Sequence, residues 1–162
     1  MKKIFSFIII ASMILGIFVI PTSAQNTTTI SDSIENIVSY EDGSYMKITV
    51  VEISTTNNAK ASSTTTTRYK TYAYHNSSDE MEWEYKIYGT FTYVYGSSVT
   101  CTASSYDYTI YKDSWKFSDG STSHSGATAY GYGTFKNKFL FVTTKTINVE
   151  AEITCDVYGN IS

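Results

Sequence analysis

Fifteen acidic against twelve basic side chains in 162 residues, a net charge of −3, exclude a protein that grips nucleic acid through sequence-independent phosphate contacts, which need excess Lys and Arg. The same sign argues against attraction to anionic lipid as the basis of function. A single proline, fifteen tyrosines and abundant Ser and Thr point to an all-β extracellular protein. β-Branched and aromatic side chains pack well on a half-buried pleated surface, and the turns are left to Gly, Asn, Asp and Ser.

Lys2 and Lys3 precede the apolar run "IFSFIIIASMILGIFVI" and then "PTSA", which reads as a secretory signal peptide over residues 1–24 with cleavage after Ala24. The run is almost long enough to span a bilayer as an uncleaved anchor, but Pro21 and the small residues Ser23 and Ala24 favour cleavage. Lys2 and Lys3 leave with it, taking the net charge to −5 over 138 residues, a size suited to one domain with its own core. The mature chain is expected to be secreted, with no stable membrane insertion after signal cleavage.

Residues 25–44 open polar, and Asp32 with Glu35 three positions on, ahead of Ile37 and Val38, forms a capping box that predicts a helix of two turns. A single β domain is expected over 45–162. "YMKITVVEI" (45–53) alternates as a strand with Met46, Ile48 and Val50 on one face. "STTNNAKASSTTTT" (54–67) reads as a long exposed loop, and "RYKTYAYH" (68–75) as the next strand. "MEWEYKIYGTFTYVY" (81–95) is the longest alternating stretch and the central strand. Trp83, Tyr85, Phe91 and Tyr93 are its core face, and Gly89 is the place for a bend or bulge.

Further strands follow at "VTCTA", where Val99, Cys101 and Ala103 share a side, at "SYDYTIYK" and at "SWKFSDGS". "GATAYGYGTF" (126–135) is thinned by Gly131 and Gly133, where a bulky ring can approach. "KNK" then turns the chain into "FLFVTTKTINVEAEITC" (139–155), with Ile147, Val149, Ala151, Ile153 and Cys155 facing one way. Seven to nine short strands without helix-length crossovers predict an antiparallel β-sandwich. Cys101, Trp115 and Cys155 give it a loose immunoglobulin-like spacing, in architecture only.

Cys101 and Cys155 both fall in register with apolar neighbours. In a secreted chain they are expected to form a disulfide, which would close a loop of about 55 residues and stabilise by roughly 4 kcal/mol; two buried reduced thiols are the alternative. His75 and His124 are far apart in sequence and sit in polar turns, so neither a metal set nor a Ser-His-acid arrangement is indicated. "NSSDE" and "KFSDGS" cluster oxygen ligands without matching a calcium loop. Cofactors are expected to be none, and metal none. Glu80, Glu82 and Glu84, and Glu150, Glu152 and Asp156, are carboxylate clusters that a secreted hydrolase could use and that solvent-facing strand positions explain more simply. The sequons at Asn26, Asn76 and Asn160 are expected to stay unmodified.

The strongest binding signal is aromatic. Tyr72, Tyr74, Tyr88, Tyr111, Tyr130 and Tyr132 fall at positions open to outer faces. There a flat apolar body with a polar tip stacks on sugar rings or contacts protein, or pairs across strands. Tyr72, Tyr74, Tyr88, Tyr130 and Tyr132 are taken as the candidate ligand-binding set, for a glycan or a surface protein, with no enzymatic activity. A small secreted toxin or bacteriocin-like effector is the alternative function.

The segments "WEYKIYGTFTYVYGSSVTCTAS", "YDYTIYKDSWKFS" and "EITCDVYGNIS" together resemble a family of small secreted Ser/Thr-rich β proteins of Gram-positive bacteria, over residues 81–162. The resemblance implies a secreted single domain with Cys101, Cys155 and Trp115 as structural landmarks, and it carries no activity over.

Overall fold

A computed structural model describes residues 28–55 and 63–162, with side chains described for 36–50 and 63–162. Among these residues there are eight strands, β1 (Thr28–Ser39), β2 (Tyr45–Thr55), β3 (Thr64–His75), β4 (Met81–Val94), β5 (Ser98–Ile110), β6 (Trp115–Ser125), β7 (Thr128–Phe139) and β8 (Val142–Thr154). They form two antiparallel meanders in succession, a five-stranded sheet β1-β2-β3-β4-β5 and a three-stranded sheet β6-β7-β8. The β-sandwich expected from the alternation is the observed architecture. Its strand order has no Greek-key crossing, so the likeness to immunoglobulin domains stops at the two layers.

Two expectations give way near the N-terminus. The segment read as a capped helix is β1, paired along its length with β2, and Glu35, the expected capping residue, is the extra residue of a bulge between Ile34 and Asn36. A two-turn helix is marginal by itself, whereas β2 offers this Ile- and Thr-containing segment a full ladder of backbone hydrogen bonds. The long loop read over 54–67 is also shorter: Ser54 and Thr55 end β2, and Thr64–Thr67 pair with Thr90–Tyr93 of β4. Thr65 and Thr67 meet Thr92 and Thr90 through hydroxyl contacts of 2.8 and 3.0 Å. The threonine run is thus a strand surface. Residues 56–62, like the signal peptide of 1–24 and the sequon at Asn26, lie outside the described residues.

The stretch expected as the central strand is β4, which lies between β3 and the edge strand β5, while β3 is the middle of the five. The odd positions of β4, Trp83, Tyr85, Ile87 and Phe91, are nevertheless completely buried. The irregularity expected at Gly89 lies just beyond it and on the partner strand: Gly89 pairs regularly with Ser104, Thr90 faces Ala103 and Phe91 faces Cys101, leaving Thr102 of β5 as the extra residue of a bulge. That shift turns Ala103 to solvent, although it was expected beside Cys101.

Across the interior, Trp83 lies between two parallel rings. Phe135 of β7 is 3.8 Å away at 3°, and Tyr74 of β3 is 5.1 Å away at 6°. Trp115 meets both Trp83 and Tyr74 edge-on, and its indole N–H donates to Glu82 Oε2 at 2.7 Å. Trp83 Nε1 has no hydrogen-bond partner, a cost of about 1–3 kcal/mol set against burial of a whole indole on both faces.

The two sheets approach closely because β7 lacks side chains where Tyr85 arrives. A Cβ on Gly131 would stand 2.7 Å from the Tyr85 hydroxyl and 2.8 Å from Ile87, and one on Gly133 would stand 2.9 Å from the Tyr85 ring. The Tyr85 hydroxyl donates to the Tyr132 carbonyl at 3.2 Å. At one end, Lys145 of β8 reaches the larger sheet, donating to Asp42 (2.6 Å), Ser44 (2.9 Å) and the Tyr74 hydroxyl (2.7 Å). The Lys145 ammonium and the Ser44 donors hold the Asp42 carboxyl well below the usual carboxylate range.

Gly131→Ala is expected to destabilise the domain by about 1–3 kcal/mol through overpacking. Tyr85→Phe in the same chain, which removes the nearest atom, is expected to recover part of that loss. Urea unfolding of the single and double variants checks this, and strictly additive losses would contradict the close contact.

Candidate functional site

The five candidate tyrosines do not form one patch. Tyr74 is in the aromatic stack of the core, and Tyr72 is buried on the inner face of β3 with its hydroxyl accepting from the Glu152 backbone N–H at 3.3 Å. Both even positions were expected outward. They point inward because the inner face of β3 carries the even numbers through Thr66, Arg68, Lys70, Tyr72 and Tyr74. Tyr88 is on the outer face of the larger sheet, directly opposite Tyr69 in register and tilted onto it at 5.4 Å. It is a cross-strand pair. Tyr111 is exposed just beyond β5.

Tyr130 and Tyr132 remain, neighbours on the outer face of the small sheet. Each is flanked in register, Tyr130 by Ser123 and Glu152, and Tyr132 by Ser121 and Glu150. Tyr132 is held down: its hydroxyl accepts from Thr134 at 2.8 Å and donates to Asn148 at 3.4 Å. Among the described residues Tyr130 has neither a hydrogen bond nor a ring partner, and 42% of it is exposed.

β8 is the free edge of this sheet, and beside it runs a groove of about 470 Å³ lined by Ile48, Lys70, Tyr72, Tyr130, Glu150 and Glu152, with Gly131 and Ala151. The groove exists because the larger sheet is wider than the smaller one. β8 lies over β3, leaving the inner faces of β1 and β2 beyond its edge. Glu150 and Glu152 project from alternate positions of one strand, roughly 7 Å apart, and form no ion pair among the described residues. One ring, two carboxylates and an ammonium therefore surround a shallow polar trough.

A second hollow, of about 290 Å³, lies on the outer face of the larger sheet among Lys47, Tyr69, Thr71, His75, Glu84 and Lys86. Its groups are mostly engaged with each other. Lys86 pairs with Glu84 at 2.7 Å, and His75 stacks on Tyr45 at 4.8 Å, whose hydroxyl donates to Asp79. Other carboxylates are similarly occupied: Glu80 with Lys112 at 3.0 Å, and Glu82 with Trp115. Burial tends to raise the Asp156 pKa, but hydrogen bonds from Asn160, Tyr158 and Gly159 outweigh it, and its carboxyl is held below the ordinary range. His124 is exposed on β6, away from these clusters. Among the described residues no three His, Cys, Asp or Glu side chains form a metal-sized group.

Sequence reasoning missed the tip of the β7–β8 hairpin. "KNK" was expected to be the turn, whereas Lys136 and Lys138 are strand residues and the two-residue turn is Leu140-Phe141. The signal lay in "FLFV" (139–142), four apolar residues that do not alternate.

Comparisons with protein-family models, curated proteins and solved structures return no match to the chain.

The expected disulfide is not formed: Cys101 and Cys155 are free, buried thiols. Their backbones are tied to one turn, the Cys101 N–H donating to the Gly126 carbonyl at 2.7 Å and the Cys155 N–H to the Ala127 carbonyl at 3.1 Å. The thiols themselves donate to the carbonyls of Ala103 and Asp156 respectively. Shared orientation toward the core thus brought the cysteines into one cluster without joining them. Burial pushes the Cys155 thiol up from 9.0 to about 11. The folded thiol is the weaker acid, so its contribution to stability is complete below pH 9.0 and declines toward about pH 11. Intact-mass measurement after alkylation at neutral pH is expected to show no adduct on the folded protein and two after unfolding without reductant. Two thiols protected until a reductant is added would restore the disulfide.

Proposed function

We propose that the protein is a secreted, non-enzymatic β-sandwich that binds glycan along the β8 edge of its smaller sheet, with Tyr130 as the stacking platform. The observation that carries this reading is the Tyr130 ring, exposed and without a partner among the described residues, beside two carboxylates that form no ion pair among them. A sugar presents an apolar C–H face and a rim of hydroxyl donors. Tyr130 suits the face, and Glu150 and Glu152 accept from the rim.

The carboxylates stand side by side on one strand, whereas glycosidic hydrolysis uses two carboxyls on opposite sides of the scissile bond. That favours binding over cleavage. The net negative charge of the mature chain favours a neutral glycan over an anionic one. Export follows from the N-terminal segment and accords with the resemblance to small secreted Ser/Thr-rich proteins of Gram-positive bacteria; N-terminal sequencing of exported protein is expected to begin at Gln25.

A glycan array followed by titration of the best ligand tests the site. Tyr130→Ala is expected to weaken binding at least about tenfold, the ~1.4 kcal/mol of one stacked ring, with thermal stability almost unchanged because the ring is exposed. Glu152→Gln is expected to weaken binding less. Undiminished binding by Tyr130→Ala, or its loss in Tyr88→Ala, would place the site elsewhere.

A further inference from the structure

The β7–β8 hairpin breaks three folding rules at one spot. Phe139, Leu140, Phe141 and Val142 are exposed by 68, 75, 100 and 65%, a contiguous apolar cap of the kind that marks an interaction surface. The turn residues Leu140 and Phe141 have φ of 44° and 73°, the left-handed conformation a two-residue hairpin requires and that Asn-Gly adopts readily. Bulky side chains are strained there. The β1–β2, β4–β5 and β6–β7 turns place Gly43, Gly96 and Gly126 at positive φ and the β3–β4 turn places Asp79 there, residue types that adopt it far more readily than Leu or Phe. Lastly, Lys116 and Lys136 stand directly opposite each other in register, an unfavourable like-charge pair. Lys138 follows two residues further toward the tip.

None of the three choices helps the hairpin fold, and all three suit one partner. We infer that the tip docks on an anionic lipid surface, with Phe139, Leu140 and Phe141 entering the headgroup–acyl boundary and Lys116, Lys136 and Lys138 contacting lipid phosphates. The apolar cap is a convex protrusion of one turn, which a deformable interface accommodates and a flat protein surface does not. Aromatic and leucine side chains over a collar of lysines match the chemistry of interfacial insertion.

Among the described residues Lys112 is paired with Glu80 and Lys145 with Asp42, whereas Lys116, Lys136 and Lys138, beside the tip, form no ion pair. Glu41, Asp79 and Asp113 balance them in number, so the attraction is local to these three lysines and is not a net charge of this end. Attachment here orients the molecule. The C-terminal residues and the β4–β5 and β6–β7 turns face away from the lipid, and the β8 groove lies along the side. This inference stands apart from glycan binding, since it uses none of the residues of that groove.

The test uses the chain from Gln25 onward, which holds all eight strands and lacks the apolar N-terminal run that would itself partition into lipid. Co-sedimentation is measured with vesicles of phosphatidylcholine alone and of equimolar phosphatidylcholine and phosphatidylglycerol. The wild type is expected to bind the mixed vesicles preferentially, and K136Q/K138Q to lose that preference. L140N/F141G is the decisive variant, because it supplies the residues the turn prefers. Its thermal midpoint is expected to rise while vesicle binding falls at least about tenfold. F141W, in a protein whose own Trp83 and Trp115 are buried, is expected to shift its emission to the blue when mixed vesicles are added. Failure of the wild type to bind either vesicle overturns the inference. So does vesicle binding by L140N/F141G equal to that of the wild type.

Discussion

The fold depends on a single aromatic stack. Trp83 lies flat between Phe135 of the opposite sheet and Tyr74 of its own, and Trp115 closes it edge-on. Large rings are the efficient way for a short sandwich to hold two sheets together, since each buries much apolar area at the cost of ordering few rotors. They are also thick. The sheets can close over them because Gly131 and Gly133 give Tyr85 a place to lie against bare β7 backbone. Rings on β4 and their absence on β7 are therefore one device, and a change on either side disturbs the other.

That packing also determines where a ligand can bind. Tyr72, Tyr74 and Tyr85 are consumed by the core, and Tyr69 with Tyr88 by a cross-strand pair, so these five of the fifteen tyrosines serve the fold. Tyr130 escapes because its β7 neighbours Ala129 and Gly131 supply the inward face. The mismatch between five strands and three does the rest: the smaller sheet ends at β8 over β3, and the step so formed is the groove beside Glu150 and Glu152. An exposed ring at a sheet edge thus follows from unequal sheets as much as from the tyrosine itself.

The hairpin tip presents a different kind of observation. Local preference, turn chemistry and charge pairing agree with the fold almost everywhere in this chain, as they do in sequences with a single well-defined native state. They disagree together at residues 136–142. Strain, exposed apolar surface and like charges converging on one hairpin are better explained by a partner than by three independent accidents.

Alternation was the most legible feature of the sequence. The strand faces of β4 and β8 could be read off directly, because a side chain's parity is fixed by its own backbone and needs no knowledge of the partner. So were the all-β class, the bend near Gly89 and the close approach at Gly131. What tertiary structure decided was everything that depends on which strand lies beside which. The β1 ladder displaced a local helical preference, the Thr102 bulge reversed Ala103, and Cys101 and Cys155, both buried, remained separate thiols. Parity also fails to name a face as inner or outer until the layers are stacked. For that reason Tyr72 and Tyr74 looked no different from Tyr130 and Tyr132 in the sequence, and only the position of the smaller sheet separated core from surface.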